Sequence, residues 1–139
     1  MVSITSTYAG LLALTFLILS LRVISVRRTL RVGLGDGNSS DLLRRIRVHG
    51  NFAEYVPLAL ILMTLVEWQG GPRAILHLVG IFLLLGRGIH AYGLSHEPEL
   101  TKLRVIGMAL TLLALGIAGV VDLLLPATKI RVDAKSVKT

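Results

Sequence analysis

The sequence contains no cysteine. Disulfides, thiolate metal sites and a cysteine nucleophile are therefore excluded. Aromatic residues are scarce at 5%, although 53% of the chain is hydrophobic, so the apolar mass is mostly Leu, Ile, Val and Ala, as on lipid-facing helices. Acidic residues are also few: 8 against 15 Lys and Arg, which leaves a net charge of +7. In a soluble domain that balance would suggest a nucleic-acid partner. Here most basic residues fall in connections and at helix ends, where they set topology and meet anionic headgroups, so no nucleic-acid partner is expected. Internal repeats are absent, and 139 residues suggest one domain. The mean hydropathy of +0.74 exceeds what a soluble domain of this size needs.

A membrane-spanning helix takes about 20 mostly apolar residues. Four runs qualify: about Ser3 to Val26, Asp41 to Trp68, Arg73 to Leu94 and Leu100 to Leu125. Only Arg22 interrupts the first, and its long side chain can extend to the interface. No positive charge precedes that run, and it is longer than a signal-peptide core, so it reads as a retained helix. The connection 27–47 carries Arg27, Arg28, Arg31, Arg44, Arg45 and Arg47 around a Gly-rich stretch, 33–38. A phosphate-binding loop would need a strand before it; none is plausible, so the stretch reads as a flexible turn. Ser40 or Asp41 is the expected N-cap of the second helix. Gln69-Gly70-Gly71-Pro72 and Ser95-His96-Glu97-Pro98-Glu99 form the remaining turns, and Pro126 is expected to end the fourth helix. A basic tail, 126–139, follows, with its tip expected to be disordered.

Such short connections make neighbouring helices antiparallel. The expected fold is all-α, a single membrane domain forming a transmembrane four-helix up-down bundle. The arginine-rich loop side is expected to be cytoplasmic.

Five positions interrupt the apolar pattern: Asn51, Glu54, Arg87, His90 and Arg104. Ionisable groups inside a membrane segment are costly and mark functional sites. Arg47, Asn51 and Glu54 are spaced i, i+4, i+7 and share one face of the second helix. Arg87 and His90, at i, i+3, share a face of the third. The up-down topology brings residues 47–54, 87–94 and 101–108 to similar depth, so three segments place polar residues at one level. An internal Glu54–Arg87 ion pair is one reading of this convergence. Such a pair leaves Arg47, Arg104 and His90 in excess, and a surplus of guanidinium groups facing a cavity suits an anionic ligand. His49, His90 and His96 lack ligand spacing on any one element, so no metal is expected. His77 reads as interfacial or interhelical, Glu67 and Trp68 as an interface anchor, and Asp122 as facing water or a helix neighbour.

The stretch Arg44-Arg45-Ile46-Arg47-Val48-His49-Gly50-Asn51-Phe52-Ala53-Glu54-Tyr55-Val56-Pro57-Leu58 resembles the second-helix signature of the MAPEG family, the membrane-associated proteins in eicosanoid and glutathione metabolism. Gly86-Arg87-Gly88-Ile89-His90 is similar to the family's third-helix motif, and Arg104 falls where the family has an arginine opening its fourth helix. The likeness covers nearly the whole chain and is strongest to bacterial members.

The resemblance implies a homotrimer in a bacterial inner membrane, with glutathione as co-substrate between adjacent subunits near the cytoplasmic face. It implies that Asn51 and Glu54 hold the amino end of glutathione. Arg27, Arg47, Arg87 and His90 would contribute to a basic wall, and Arg104 would be catalytic, stabilising the thiolate. Gly50, Leu94, Val105 and Met108 depart from the eukaryotic pattern of arginine, tyrosine, serine and tyrosine at these places. That points away from prostaglandin or leukotriene synthesis, toward a generic glutathione transferase or peroxidase acting on hydrophobic electrophiles or lipid hydroperoxides. The alternatives are a non-catalytic member of the same fold that binds glutathione or another anionic or lipid ligand, and a structural or transport-related membrane protein.

Overall fold

The computed structural model describes residues 3–136, with side chains described for 3–125. Four helices follow one another: α1 (Ile4–Leu30), α2 (Ser40–Trp68), α3 (Arg73–Leu94) and α4 (Thr101–Ser136). Each is long and apolar enough to cross a membrane. Both α2 and α3 touch all three other helices, whereas α1 and α4 do not touch each other among the described residues. The bundle is therefore rhombic, with α2 and α3 across its short diagonal.

This arrangement sets the burial pattern. On α1 only Ile4, Thr5, Tyr8, Leu12 and Leu19 are buried, a single stripe at spacings of four and seven residues. Leu11, Leu14, Leu17, Ile18 and Leu21 face outward, and α4 likewise exposes Leu112, Leu113, Val120, Leu123 and Leu124. So much contiguous apolar surface would drive aggregation in water. In a bilayer it meets acyl chains of matching polarity, so the protein is an integral, multi-pass membrane protein.

The helix ends follow local chemistry. Ser39, one residue before the expected cap, is the N-cap of α2; its Oγ accepts from Leu42 N at 3.3 Å. Ser39 is extended (φ −95°, ψ 115°), as a cap requires, whereas Ser40 and Asp41 already lie in the helix. Asp41 instead pairs with Arg45 one turn on, at 3.0 Å. α1 runs past the expected Val26 to Leu30, and Arg31 ends it in the left-handed conformation (φ 55°). Gly70 (φ +76°) makes the reversal between α2 and α3, where a side chain would be strained. α2 continues unbroken through Pro57.

Contrary to expectation, Pro126 does not end α4, which extends to Ser136. A proline removes one backbone donor but leaves the remaining helical hydrogen bonds in place, so the helix can run through it. The expected disorder at the tip of the tail lies outside the described residues.

α3 and α4 make the closest contact. A Cβ on Gly107 would lie 2.5 Å from His90 N and 2.6 Å from the Gly86 carbonyl oxygen. Small residues let the two backbones approach in this way. The approach brings the C-terminal half of α3, with Arg87 and His90, against the first turns of α4.

Candidate functional site

A groove of about 1040 Å3 opens where α2, α3 and α4 meet. From α2 it takes Arg47, Asn51 and Glu54, which helical spacing puts on one face. His90 and Leu94 come from the end of α3, and Arg104 and Met108 from the start of α4. Gly35 and Asp36, from the α1–α2 connection, form part of its rim. Of the seven residues singled out from the sequence, the structure brings five to this groove: Arg47, Asn51, Glu54, His90 and Arg104.

Arg87 stands behind the groove wall, at 2% exposure. Its Nη1 donates to Asn51 Oδ1 at 2.5 Å, and its Nε donates to Thr111 Oγ1 at 2.9 Å. The guanidinium carbon lies 5.4 Å from the centre of the Tyr55 ring. These contacts offset part of the cost of burying the charge. The Glu54–Arg87 ion pair is not formed. Glu54 is exposed on the groove side of α2, whereas Arg87 points into the core toward Asn51 and α4. Nη2 of Arg87 is buried without a hydrogen-bond partner.

Arg27 does not line the groove. Its Nη1 donates to the carbonyls of Val32, Gly33 and Gly35, the last at 2.9 Å, so it braces the connection that carries the rim. The α1 helix runs four residues beyond Val26, so Arg27 lies within its last turn and turns back toward the loop.

His90 has a defined role in this geometry. Its Nδ1 is 3.1 Å from the carbonyl oxygen of Arg104. A carbonyl only accepts, so Nδ1 carries the proton and Nε2 is the ring nitrogen left for the groove. The same bond ties the end of α3 to the first turn of α4, fixing Arg104 relative to His90. Arg104 Nη1 donates to both carboxylate oxygens of Glu99, each at 2.7 Å. The connection before α4 is also tied to α2 through an Arg44–Glu97 ion pair.

Two partners, Thr111 and Glu99, were not foreseen. Thr111 is fully buried, and its own hydroxyl donates to Gly107 O at 2.9 Å. The available signal was a lone hydroxyl in an apolar run, seven residues beyond Arg104 and so on the same face. For Glu99 the signal was an acid five residues before that arginine.

Elsewhere, the histidines are separated. His49 stacks on Phe16 at 4.7 Å and bonds Ser20, and His96 lies against Tyr92. His77 bonds Tyr8 of α1 at 3.2 Å and is interhelical. Asp122 accepts from Gln69 at 2.5 Å. Glu67 does more than mark an interface. Its carboxylate accepts from the backbone N–H of Ser3, Ile4 and Thr5 at 2.8–2.9 Å, capping α1 from α2.

The groove thus joins an arginine and a histidine from two helices to an amide and a carboxylate from a third, and the sequence around it is diagnostic. The MAPEG family model matches residues 5–123. The chain belongs to the MAPEG family. It is also 41% identical over 112 residues to the inner membrane protein YecN of Escherichia coli K12, covering 81% of this chain and 84% of that one. The YecN protein of Escherichia coli O6:H1 strain CFT073 matches to the same extent. In this MAPEG chain the four departures noted above, Gly50, Leu94, Val105 and Met108, all line the groove and put no charged or hydroxyl group there.

Proposed function

We propose that the protein is a glutathione-dependent membrane transferase or peroxidase, acting on hydrophobic electrophiles or lipid hydroperoxides. The observation that carries this reading is the gathering of Arg47, Asn51, Glu54, His90 and Arg104 in one groove. Its size falls near the upper end of small-molecule sites, roughly 300–1,000 Å3. Its polar groups also match glutathione: Glu54 to accept from the ammonium, Asn51 and Arg47 to donate to a carboxylate, and Arg104 for a thiolate.

The thiolate is the reactive form of a thiol, and a guanidinium beside the sulfur favours it over the protonated form. Arg104 would supply that charge, held in place by the His90–Arg104 backbone bond. Arg47 and Asn51 bind and orient the tripeptide. The apolar wall formed by Leu94, Val105 and Met108 suits a second substrate arriving laterally from the bilayer. By the family's pattern the assembly is a homotrimer. The basic α1–α2 connection supports a groove near the cytoplasmic face, and the YecN relative supports an inner membrane.

The four groove positions that differ from eukaryotic members favour a second reading, a member that binds glutathione or another anion without turning it over. Isothermal calorimetry of the detergent-purified protein with glutathione, with Glu54→Ala as control, tests the site. Binding that the control loses supports both readings; no binding at millimolar glutathione overturns the first and leaves the second only for a different anion. A thiol-conjugation and hydroperoxide-reduction assay then separates them.

A further inference from the structure

Arg87 carries five N–H donors and no acceptor. The side-chain atom of Asn51 that it touches at 2.5 Å is therefore the amide oxygen. That assignment turns the amide NH2 of Asn51 the other way, and the nitrogen bonds to nothing among the described residues while Asn51 lines the groove. Arg87 is itself held. Its Nε is bonded to Thr111 Oγ1, whose proton is committed to the Gly107 carbonyl. A rigid relay therefore runs from α4 through α3 to α2 and ends on one amide.

From this geometry we infer that Arg87 is a positioning residue rather than a ligand of the groove. It locks Asn51 so that the site presents an N–H donor at that point, and a buried positive charge behind the amide strengthens the donor. The ligand group received there is an acceptor, such as a carboxylate, while Glu54 one turn along receives a donor such as an ammonium. The floor of the groove thus selects the amino-acid end of a molecule in one orientation. This inference rests on the glutathione reading for its ligand, and on the Arg87–Asn51 contact alone for its geometry.

Asn51→Asp separates the two. Aspartate still accepts from Arg87, so the variant should melt no lower than the wild type, whereas Asn51→Leu should melt lower. Aspartate also turns an acceptor toward the groove, so its affinity for glutathione should fall at least about tenfold, the loss of one hydrogen bond to a charged group plus repulsion. In an Arg87→Met background the thermal effect of Asn51→Asp should change sign to destabilising, because the carboxylate loses its partner. Arg87→Met alone should also weaken glutathione binding, because the amide is then free to turn, whereas a purely structural Arg87 would lower the melting temperature and leave affinity unchanged. Glutathione binding by Asn51→Asp at wild-type strength, or equal melting of Asn51→Asp and Asn51→Leu below the wild type, overturns the inference. Failure of the wild type to bind glutathione sinks the functional reading, while the melting comparison still judges the positioning role.

Discussion

Arg104 and Glu99 are joined by two equal contacts of 2.7 Å, so the guanidinium at the mouth of the groove is held by a carboxylate five residues before it. Both side chains are about two-fifths exposed, at 42% and 41%. Water and salt therefore screen the pair, and it is worth about 0.2–1 kcal/mol. An anion approaching Arg104 competes with Glu99 for the same guanidinium. Glu99→Gln should raise conjugation turnover about two- to fivefold, less so at high salt, with little change in glutathione affinity. Turnover at low and high ionic strength checks this; slower turnover in the variant would mean that Glu99 orients Arg104 instead of competing for it.

Arg104→Ala removes the charge beside the sulfur but leaves Asn51, Glu54 and Arg47 in place. Conjugation turnover should drop about 100-fold, the scale of losing one electrostatic stabiliser, while glutathione affinity changes far less. Steady-state rates beside calorimetric affinities make the comparison. Equal turnover in wild type and variant is incompatible with the assigned role.

Glu67 satisfies three N–H groups at the start of α1, a helix that buries little else. Helix caps contribute about 1 kcal/mol, more when the acceptor is charged. Glu67→Ala should lower the melting temperature in detergent by about 2–5 °C. It should not alter glutathione affinity, since Glu67 and the groove lie toward opposite ends of α2. Thermal denaturation and calorimetry on one preparation read out both.

Gly107 marks the tightest approach of α3 and α4, with the His90 backbone directly opposite. Gly107→Leu should push the helices apart, cost about 1–3 kcal/mol, and move Arg104 away from His90. Stability and glutathione binding should fall together, in contrast to Glu67→Ala. A variant that melts earlier but binds normally would show that the groove does not depend on this crossing.

The number of helices, their all-α bundle and their membrane setting were legible in the sequence, because each depends on the length of an apolar run and the shortness of a connection. So was the shared face of Arg47, Asn51 and Glu54, which follows from 3.6 residues per turn. The depth argument from up-down topology likewise brought His90 and Arg104 to the same level as that face.

Direction around a helix axis relative to its neighbours was not legible, and it decided the rest. Arg87 shares the depth of Glu54, yet its side chain turns into the core toward Asn51 and Thr111. Arg27 sits among loop arginines that look interchangeable in sequence, yet its bonds are to the loop's own carbonyls. Glu67 appeared as a boundary residue until α1 was docked beside it. In each case spacing along the chain determined which residues could meet a given level of the membrane. The partner each one met was decided by how closely α3 and α4 approach and by which faces α2 shows them, because hydrogen bonds form only at distances that packing sets.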